Sequence, residues 1–476
     1  MNDLFLIKCI YHIHDGLCNG LTKFSGPSRA ALVYCVSDTT PLRVHDPQDL
    51  LRGHEPRLQE LYLRDQRWRH CTGMELREDV VRCGNLELSG LISFGGRSTN
   101  LAYQMWFTEQ HRDMCSTGPT ERWLEHACRL MSQDMGTASP LDLGTSSYVL
   151  QDFATHAVRD HIIDVRNLSV GLDTQLRIYP ILEAIQGISK TQEEGCWPWG
   201  DLIFVEPAHA RLVHYLATFG AFERPAMKDI KHIRKLLQAV EANRHKLVSD
   251  GHQIIGIGTG RMPDFSVVAE FRGRHGFIQV QDEAVCSFAD GGFHSSNRKP
   301  NLVQLEEILL ELKIDSNRIY AIMKVVTALV SSAQERKHGC ALVLDHGCPL
   351  ASISGQHLND PLDLRRLVDL DLAKSLAKVD GALHIDMMYL KLHAFAALLD
   401  GRAVAGENRA RGARFNSALR FTADHDQVIL VVVSADRPIS IIQHGTELTA
   451  HCEWTPKYRC LTVPPTLEDW LIESTA

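Results

Sequence analysis

Two short segments near the C-terminal end of the sequence combine residue types that could bind a phosphorylated ligand. The first is Asp380-Gly381, an acid followed by a glycine at the start of an apolar strand pattern. A carboxylate there can ligate a divalent metal, and the glycine lets a ligand approach the backbone. The second is Gly412-Ala-Arg-Phe-Asn-Ser-Ala418, whose backbone N–H groups could cradle a phosphate while Arg414 clamps it. Each signal is weak alone, since Asp-Gly is more often a simple turn.

Other polar residues are weaker candidates for a metal site. His384 and Asp386 alternate with Asp380, so on a strand they share a face with it and could add to a metal site. The favoured interpretation is ordinary polar residues at a strand end. His14 and Cys18, with the nearby His12, could bind a metal on a strand face, but one such short cluster is usually chance.

Two further patterns have simple explanations. Gly256-Ile-Gly-Thr-Gly260 follows a strand, but Met262-Pro263 follows it instead of a helix, so a turn is favoured over a dinucleotide fingerprint. Basic residues line one edge of a helix predicted over 225–245, and a solvated face is favoured over an anion sensor. These basic residues are Lys228, Lys231, Arg234 and Lys235.

The elements that must position the two segments alternate between helical and strand patterns. The pattern predicts helices over 302–312 and 319–336, and a helical or mixed piece over 388–399. Apolar runs predict strands over 340–344, 382–385 and 428–433. The expected fold is α/β, with a C-terminal mixed β-sheet flanked by helices and preceded by α+β N-terminal regions.

Loop-like segments around 135–140 and 290–300 divide the chain into three expected domains. Residues 1–135 form an α+β region of unknown role, and residues 136–300 form a second α+β region. Residues 301–476 form the domain that carries both ligand-binding segments. We therefore look for the chemistry in the last domain.

Composition excludes several classes of protein. The 476 residues carry 50 basic and 58 acidic side chains, a net charge of −8, which argues against nucleic acid as a partner. The longest apolar run, 428–433, is far below the roughly 20 residues that span a bilayer. Thirteen cysteines include no C-x-x-C pair, which indicates reduced thiols. We expect a cytoplasmic protein with no membrane segment.

The stretch from Gly339 to about Gly445 resembles the diadenylate cyclase (DAC) domain, closest to the DNA-integrity scanning (DisA) type. Residues 376–382 are similar to its Asp-Gly-Ala motif. Residues 412–418 stand where the family has Gly-Thr-Arg-His-Arg and then small residues. Residues 339–344 look like its first strand, and 431–436 like its closing strand and turn. The preceding region resembles, more faintly, the sensor segments that accompany such domains.

This resemblance implies a nucleotidyltransferase that condenses two ATP into cyclic di-AMP with Mg²⁺ or Mn²⁺. Asp380 would hold the metal and help to activate the ribose 3′-hydroxyl, and Arg414 would be the second catalytic residue. The resemblance also implies a nucleotide pocket. Its expected residues are Gly381, Ala382, Leu399, Gly412, Ala413, Arg414, Phe415, Asn416 and Ser417. Each family site holds one ATP, so activity would require a homo-oligomer with DAC domains face to face.

One departure from the family bears on activity. The family's Arg-His-Arg reads Arg414-Phe415-Asn416 here, so one cation and one imidazole are replaced. Losing an oxyanion contact typically costs on the order of 3–4 kcal/mol. Slower, altered or absent catalysis is compatible with this change, and Phe415 could instead stack on a base. The main interpretation is a cyclase gated by N-terminal sensory regions; the alternative is a degenerate DAC domain that acts as a nucleotide-binding sensor.

Overall fold

A computed structural model gives the arrangement of most of the chain. The residues that it describes are 3–64, 68, 80–84, 86–111, 113–136, 144–193, 195–241, 244–263, 265–273, 275–289, 291–296, 302–312, 314–335, 338–404, 407, 411–434, 439–448 and 462–473. Residues 137–140 of the first loop-like segment, residues 290 and 297–300 of the second, and the turn expected at 435–436 lie outside these residues. The second segment is not wholly a loop, because Gly292–His294 form a short strand that pairs with a neighbouring strand.

The helices and strands occur partly in groups: four helices follow one another over 118–189, and six strands over 246–294. The helices are α1 (Asp3–Ser25), α2 (Glu55–Gln59), α3 (Gly118–Gly136), α4 (Thr145–Gln151), α5 (Ala154–Val170), α6 (Ile178–Ser189), α7 (Ile230–Leu237), α8 (Val303–Glu311), α9 (Ser316–Glu335), α10 (Leu367–Leu376), α11 (Ala413–Asp424) and α12 (Leu467–Glu473). The strands are β1 (Ala30–Cys35), β2 (Arg43–His45), β3 (Val81–Cys83), β4 (Leu91–Arg97), β5 (Tyr103–Glu109), β6 (Trp199–Val205), β7 (His214–Thr218), β8 (Lys246–Ser249), β9 (Ile254–Thr259), β10 (Ser266–Arg272), β11 (His275–Val280), β12 (Glu283–Ala289), β13 (Gly292–His294), β14 (Cys340–Asp345), β15 (Ser354–Asp363), β16 (Ala382–Asp386), β17 (Lys391–Leu398), β18 (Val428–Val433), β19 (Ser440–Gln443) and β20 (Thr446–Glu447).

The chain forms two compact units, residues 1–297 with 454–476, and residues 298–453. The described part of the first unit contains an antiparallel five-stranded sheet in the order β2-β1-β5-β4-β3. Its second sheet has eight strands in the order β13-β12-β11-β10-β6-β8-β9-β7, in which β6 and β8 run parallel. The main hydrophobic core of this unit includes apolar side chains from α1, α3, α5 and α6 and from both sheets. The division into three domains stays a prediction.

The second unit is built on a mixed sheet. Its described residues form seven strands in the order β15-β17-β16-β14-β18-β19-β20, and β14 pairs in parallel with β16 and antiparallel with β18. These three central strands are buried along their whole length. Such continuous burial is typical of strands covered on both faces.

Alternate residues of the central strands pack on opposite faces of this sheet. Leu342 and Leu344 belong to the core that contains α8, α9 and α10. Ala341 and Val343 belong to the core that contains α11. The period of two along a strand sends neighbouring side chains to opposite faces, so the sheet is flanked by helices on both sides. The predicted fold class, mixed α/β with a helix-flanked C-terminal sheet, is confirmed.

Several local predictions were wrong. Residues 388–399 form a turn and the strand β17, because β17 lies between two other strands of the sheet. The helix expected over 225–245 is confined to α7 and a following turn. The glycine-rich 256–260 segment is mostly strand, not a turn, because Gly256 lets β7 approach: an added Cβ would lie 2.2 Å from the Ala217 carbonyl oxygen.

None of the helices within the described ranges is long and apolar enough to cross a bilayer.

Candidate functional site

A cavity of about 670 Å³ lies at one end of the seven-stranded sheet, where β14 and β16 begin and β18 ends. All but one of the residues expected in the pocket line it. These lining residues are Asp380, Gly381, Ala382, Leu399, Gly412, Ala413, Arg414, Phe415 and Ser417. Asn416 is the exception and does not line the cavity. The volume falls within the range of small-molecule sites.

The helix α11 presents its N-terminal end to the cavity. Gly412 precedes the helix with φ of 87°, a conformation that favours glycine, and the Gly412 carbonyl accepts the N–H of Asn416. The first N–H groups of a helix lack intrahelical partners and carry partial positive charge. Ala413, Arg414 and Phe415 occupy this first turn and line the cavity. This end of α11 is therefore suited to an anion such as phosphate.

The turn between α10 and β16 requires its glycine. Gly381 has φ of 117°, and an added Cβ would lie 2.5 Å from the carbonyl carbon of Ala396 in β17. Nothing larger than hydrogen fits between the two backbones. This close approach fixes the backbone of the turn and therefore the position from which the preceding residue, Asp380, lines the cavity.

Asp380 and Arg414 meet across the cavity. An Nη2 group of Arg414 donates to Oδ1 of Asp380 at 2.5 Å, and the Asp380 side chain is 95% exposed. Gly339 contributes by its lack of a side chain, since an added Cβ would lie 2.8 Å from Nη1 of Arg414. The arrangement places one carboxylate and one guanidinium cation together at the N-terminal end of α11.

A divalent metal ion fits this site only if phosphate groups of the bound ligand coordinate it together with the protein. Asp380 is the acidic residue among the described lining residues, and no group of three or more metal-ligating side chains is placed to hold an ion within the described chain. Mg²⁺ usually keeps several waters and binds one or two carboxylates together with substrate phosphates. One carboxylate beside an anion-binding helix end matches that mode.

His384 and Asp386 do not belong to the cavity. Asp386 ends β16, the strand whose first residue Ala382 lines the cavity. Nε2 of His384 lies 2.9 Å from Oδ2 of Asp345, and both side chains are buried. The favoured interpretation, polar residues satisfied at a strand end, matches this arrangement.

Asp345 is the central acceptor of a hydrogen-bond network at the end of β14 that lies away from the cavity. Its carboxylate also accepts the N–H groups of Gly347 at 2.8 Å and Ala351 at 2.7 Å. Burial acts to raise the pKa of Asp345, but the bonds from His384 and from these two N–H groups outweigh it, so the pKa lies below its usual value.

Arg411 is a cavity residue that the sequence did not reveal. It donates from Nη2 to Oγ of Ser440 at 2.9 Å and to Oε1 of Glu447 at 2.5 Å. Its guanidinium lies over the Phe415 ring, 4.1 Å from the centroid. The available signal was a second arginine immediately before Gly412, but its partners come from residues about thirty positions later.

The candidates in the first unit do not form a comparable site. His14 and Cys18 lie on the helix α1, not on a strand, and burial lowers the pKa of His14 to about 4. Arg234 is fully buried and donates to the carbonyls of Cys196 and Trp197, so the basic edge of α7 is only partly solvated.

Three family profiles match successive parts of the chain. Residues 4–172 match a probable sensor domain, DACND, and residues 179–286 match another, DACNH. Residues 327–447 match the DisA bacterial checkpoint controller nucleotide-binding domain, DAC. The cavity lies within this last match. A comparison with curated proteins found no significant match.

Two of the solved structures that match the chain cover less than a third of it. One is a hypothetical membrane spanning protein from Bacillus cereus, 18% identical over 31% of this chain and 78% of that chain, with a TM-score of 0.22. Another is a double mutant of DacA from Staphylococcus aureus, 17% identical over 27% of this chain and 87% of that chain, with a TM-score of 0.21.

The matched profiles define the class of the C-terminal domain as nucleotide-binding. Residues 327–447 are a domain of the DAC family, the DisA nucleotide-binding type, and two probable sensor domains precede it. The family recognised from the sequence is thereby confirmed.

Proposed function

We propose that the chain is a diadenylate cyclase-like nucleotidyltransferase that condenses two ATP into cyclic di-AMP. The observation that carries this proposal is the meeting of Asp380, Arg414 and the N-terminal end of α11 in one cavity of a DAC-family domain. Positioning and charge neutralisation are the main requirements of phosphoryl transfer, and these groups supply both.

The reaction consists of two equivalent displacements. The 3′-oxygen of each ATP attacks the α-phosphorus of the other, forming a P–O bond while the bond from that phosphorus to the pyrophosphate oxygen breaks. Two pyrophosphates leave, and each attacking hydroxyl releases its proton to solvent water. The N-terminal end of α11 and Arg414 would stabilise the negative charge that builds on the phosphates.

Asp380 and Arg414 would exchange partners when ATP binds. Their ion pair is exposed, and such pairs contribute little net stability. A triphosphate can therefore draw the Arg414 guanidinium away and leave the Asp380 carboxylate facing the nucleotide. A Mg²⁺ or Mn²⁺ ion bound with the nucleotide would neutralise phosphate charge. Asp380 would hold that ion and orient the 3′-hydroxyl.

The proposal includes oligomerisation. Each DAC-family site holds one ATP, whereas the product joins two nucleotides. Two DAC domains would have to face each other, so the active form would be a homo-oligomer. The two probable sensor domains would then gate the activity by favouring or preventing that encounter, which is how a signal could reach the cyclase.

A second candidate function is nucleotide sensing without turnover. It is favoured by the engagement of Asp380 by Arg414, and by Phe415 and Asn416 in place of polar groups of the family loop. Incubation of the purified protein with ATP and either metal, followed by mass spectrometry, separates the two. Cyclic di-AMP supports the cyclase, whereas ATP bound without product under either metal supports the sensor.

A further inference from the structure

The loop before α11 holds a second arginine in a defined position. Arg411 immediately precedes Gly412 and lines the cavity beside Arg414. Its Nη2 group is anchored by Ser440 and by Glu447, whose side chain is 17% exposed. One corner of the guanidinium is thus fixed to β19 and β20. A guanidinium held this way loses little further freedom when it binds a ligand.

Two other donor groups of the Arg411 guanidinium remain available to a ligand. Within the described residues, Nη1 and Nε of Arg411 donate to no protein acceptor. The described charged residues that line the cavity are Asp380, Arg411 and Arg414. Because Asp380 pairs with Arg414, a bound anion would meet two arginines and one acid, in addition to the N-terminal end of α11.

Phe415 serves as the support for this arginine. Its side chain is only 9% exposed and packs in the core beneath α11 with Ala418 and Leu419. Arg411 covers its ring at 4.1 Å. A nucleobase would have to displace the arginine to stack there. The phenyl ring therefore favours a cation over its face, as aromatic rings do, and not a base.

We propose that Arg411, held over Phe415, is a phosphate-binding residue that supplies the second cation of this loop. The proposal rests on the nucleotide-binding function proposed above. Asn416, where the family has its second arginine, does not line the cavity, whereas Arg411 does. A guanidinium binds phosphate through charge-assisted hydrogen bonds, so Arg411 would act on the phosphates and leave the nucleoside alone.

The test compares ATP with adenosine. Wild type, Arg411→Gln and Arg411→Lys are titrated with each ligand by calorimetry in the presence of Mg²⁺. The glutamine variant should lose on the order of ten- to a hundredfold in ATP affinity, as expected for one charge-assisted contact, and keep its adenosine affinity. The lysine variant keeps the charge without the planar fork and should lose less. It also provides the comparison if the glutamine variant does not fold.

The matched control is Arg365→Gln, the same change at an exposed arginine that bonds Asp363 outside the cavity. It should bind ATP as wild type does. ATP affinity unchanged in both Arg411 variants, or ATP and adenosine weakened equally, would overturn the role of Arg411 while the nucleotide site stands. A wild-type protein that binds no ATP would instead overturn the proposed function, and this inference with it.

Discussion

At the scale of single residues, the cavity depends on an ion pair that a ligand can replace. Asp380 is almost fully exposed and Arg414 half-exposed, so neither charge has been moved far out of water. An exposed ion pair of this kind contributes little net stability. Because both side chains are exposed, Arg414 can turn to a phosphate, and Asp380 can turn to a cation bound with that phosphate.

Arg414→Ala is therefore expected to weaken ATP binding itself, because the guanidinium would clamp phosphates in the bound state. We expect a loss of roughly ten- to a hundredfold in affinity by calorimetric titration. The unfolding free energy should change by about 1 kcal/mol or less, as for other exposed sites. ATP affinity equal to that of wild type would show that Arg414 forms only a surface ion pair.

Asp345, at the other end of β14, supports stability in a pH-dependent way. Its pKa lies below the usual value in the folded state, so its charge stabilises the fold above that usual value, near 4. This contribution is lost as the pH falls through the lower folded pKa. Asp345→Asn should cost about 1–3 kcal/mol at neutral pH, and the difference from wild type should shrink below about pH 4.

Denaturant unfolding at several pH values measures this difference. The matched control is Asp371→Asn, which removes a carboxylate on the exposed side of α10. It should change the unfolding free energy little at any of these pH values. A gap between wild type and Asp345→Asn that stays constant from pH 7 to pH 3 would contradict the assigned network.

At the scale of elements, the position of the site depends on two glycine turns with different constraints. Gly381→Ala would drive a Cβ into the β17 backbone in addition to straining φ, whereas Gly412→Ala strains φ but meets no atom within 4 Å. We expect Gly381→Ala to cost more than about 2 kcal/mol and Gly412→Ala about 1 kcal/mol. Thermal and denaturant unfolding of the two variants measure the costs, and equal costs would argue against the close approach.

The elements also show what the sequence could predict. The central strands β14, β16 and β18 were predicted because each consists mainly of apolar residues between turns. None of the residues of the edge strand β15 is buried, so hydrophobic periodicity did not reveal it. In α1, the alternating His12 and His14 suggested a strand, but the apolar stripe that includes Leu6, Ile10 and Ile13 forms the buried face of a helix.

The candidate site was predictable in part for the same reason. Asp380, Gly381 and all of the segment 412–417 except Asn416 line the cavity, and the sequence indicated them because each carries its chemistry in a short segment. Arg411 was missed because its role depends on Ser440 and Glu447, which only the folded sheet brings near it. Local patterns indicate where a loop binds, but long-range contacts decide which of its side chains reach the ligand.

At the scale of the whole molecule, the DAC domain follows two probable sensor domains in one chain. Such an order is expected of a protein whose nucleotide chemistry answers to another signal. Gating by these sensor domains has a function only if the C-terminal domain performs that chemistry.

The most direct measurement is cyclic di-AMP formation by wild type and by Asp380→Asn, each incubated with ATP and Mg²⁺ or Mn²⁺ and analysed by mass spectrometry. The substitution removes the charge and hardly changes the volume. Wild type should form cyclic di-AMP, while Asp380→Asn should still bind ATP and form it at least about a hundredfold more slowly. Equal product from both proteins, or bound ATP without product in wild type, would contradict the account.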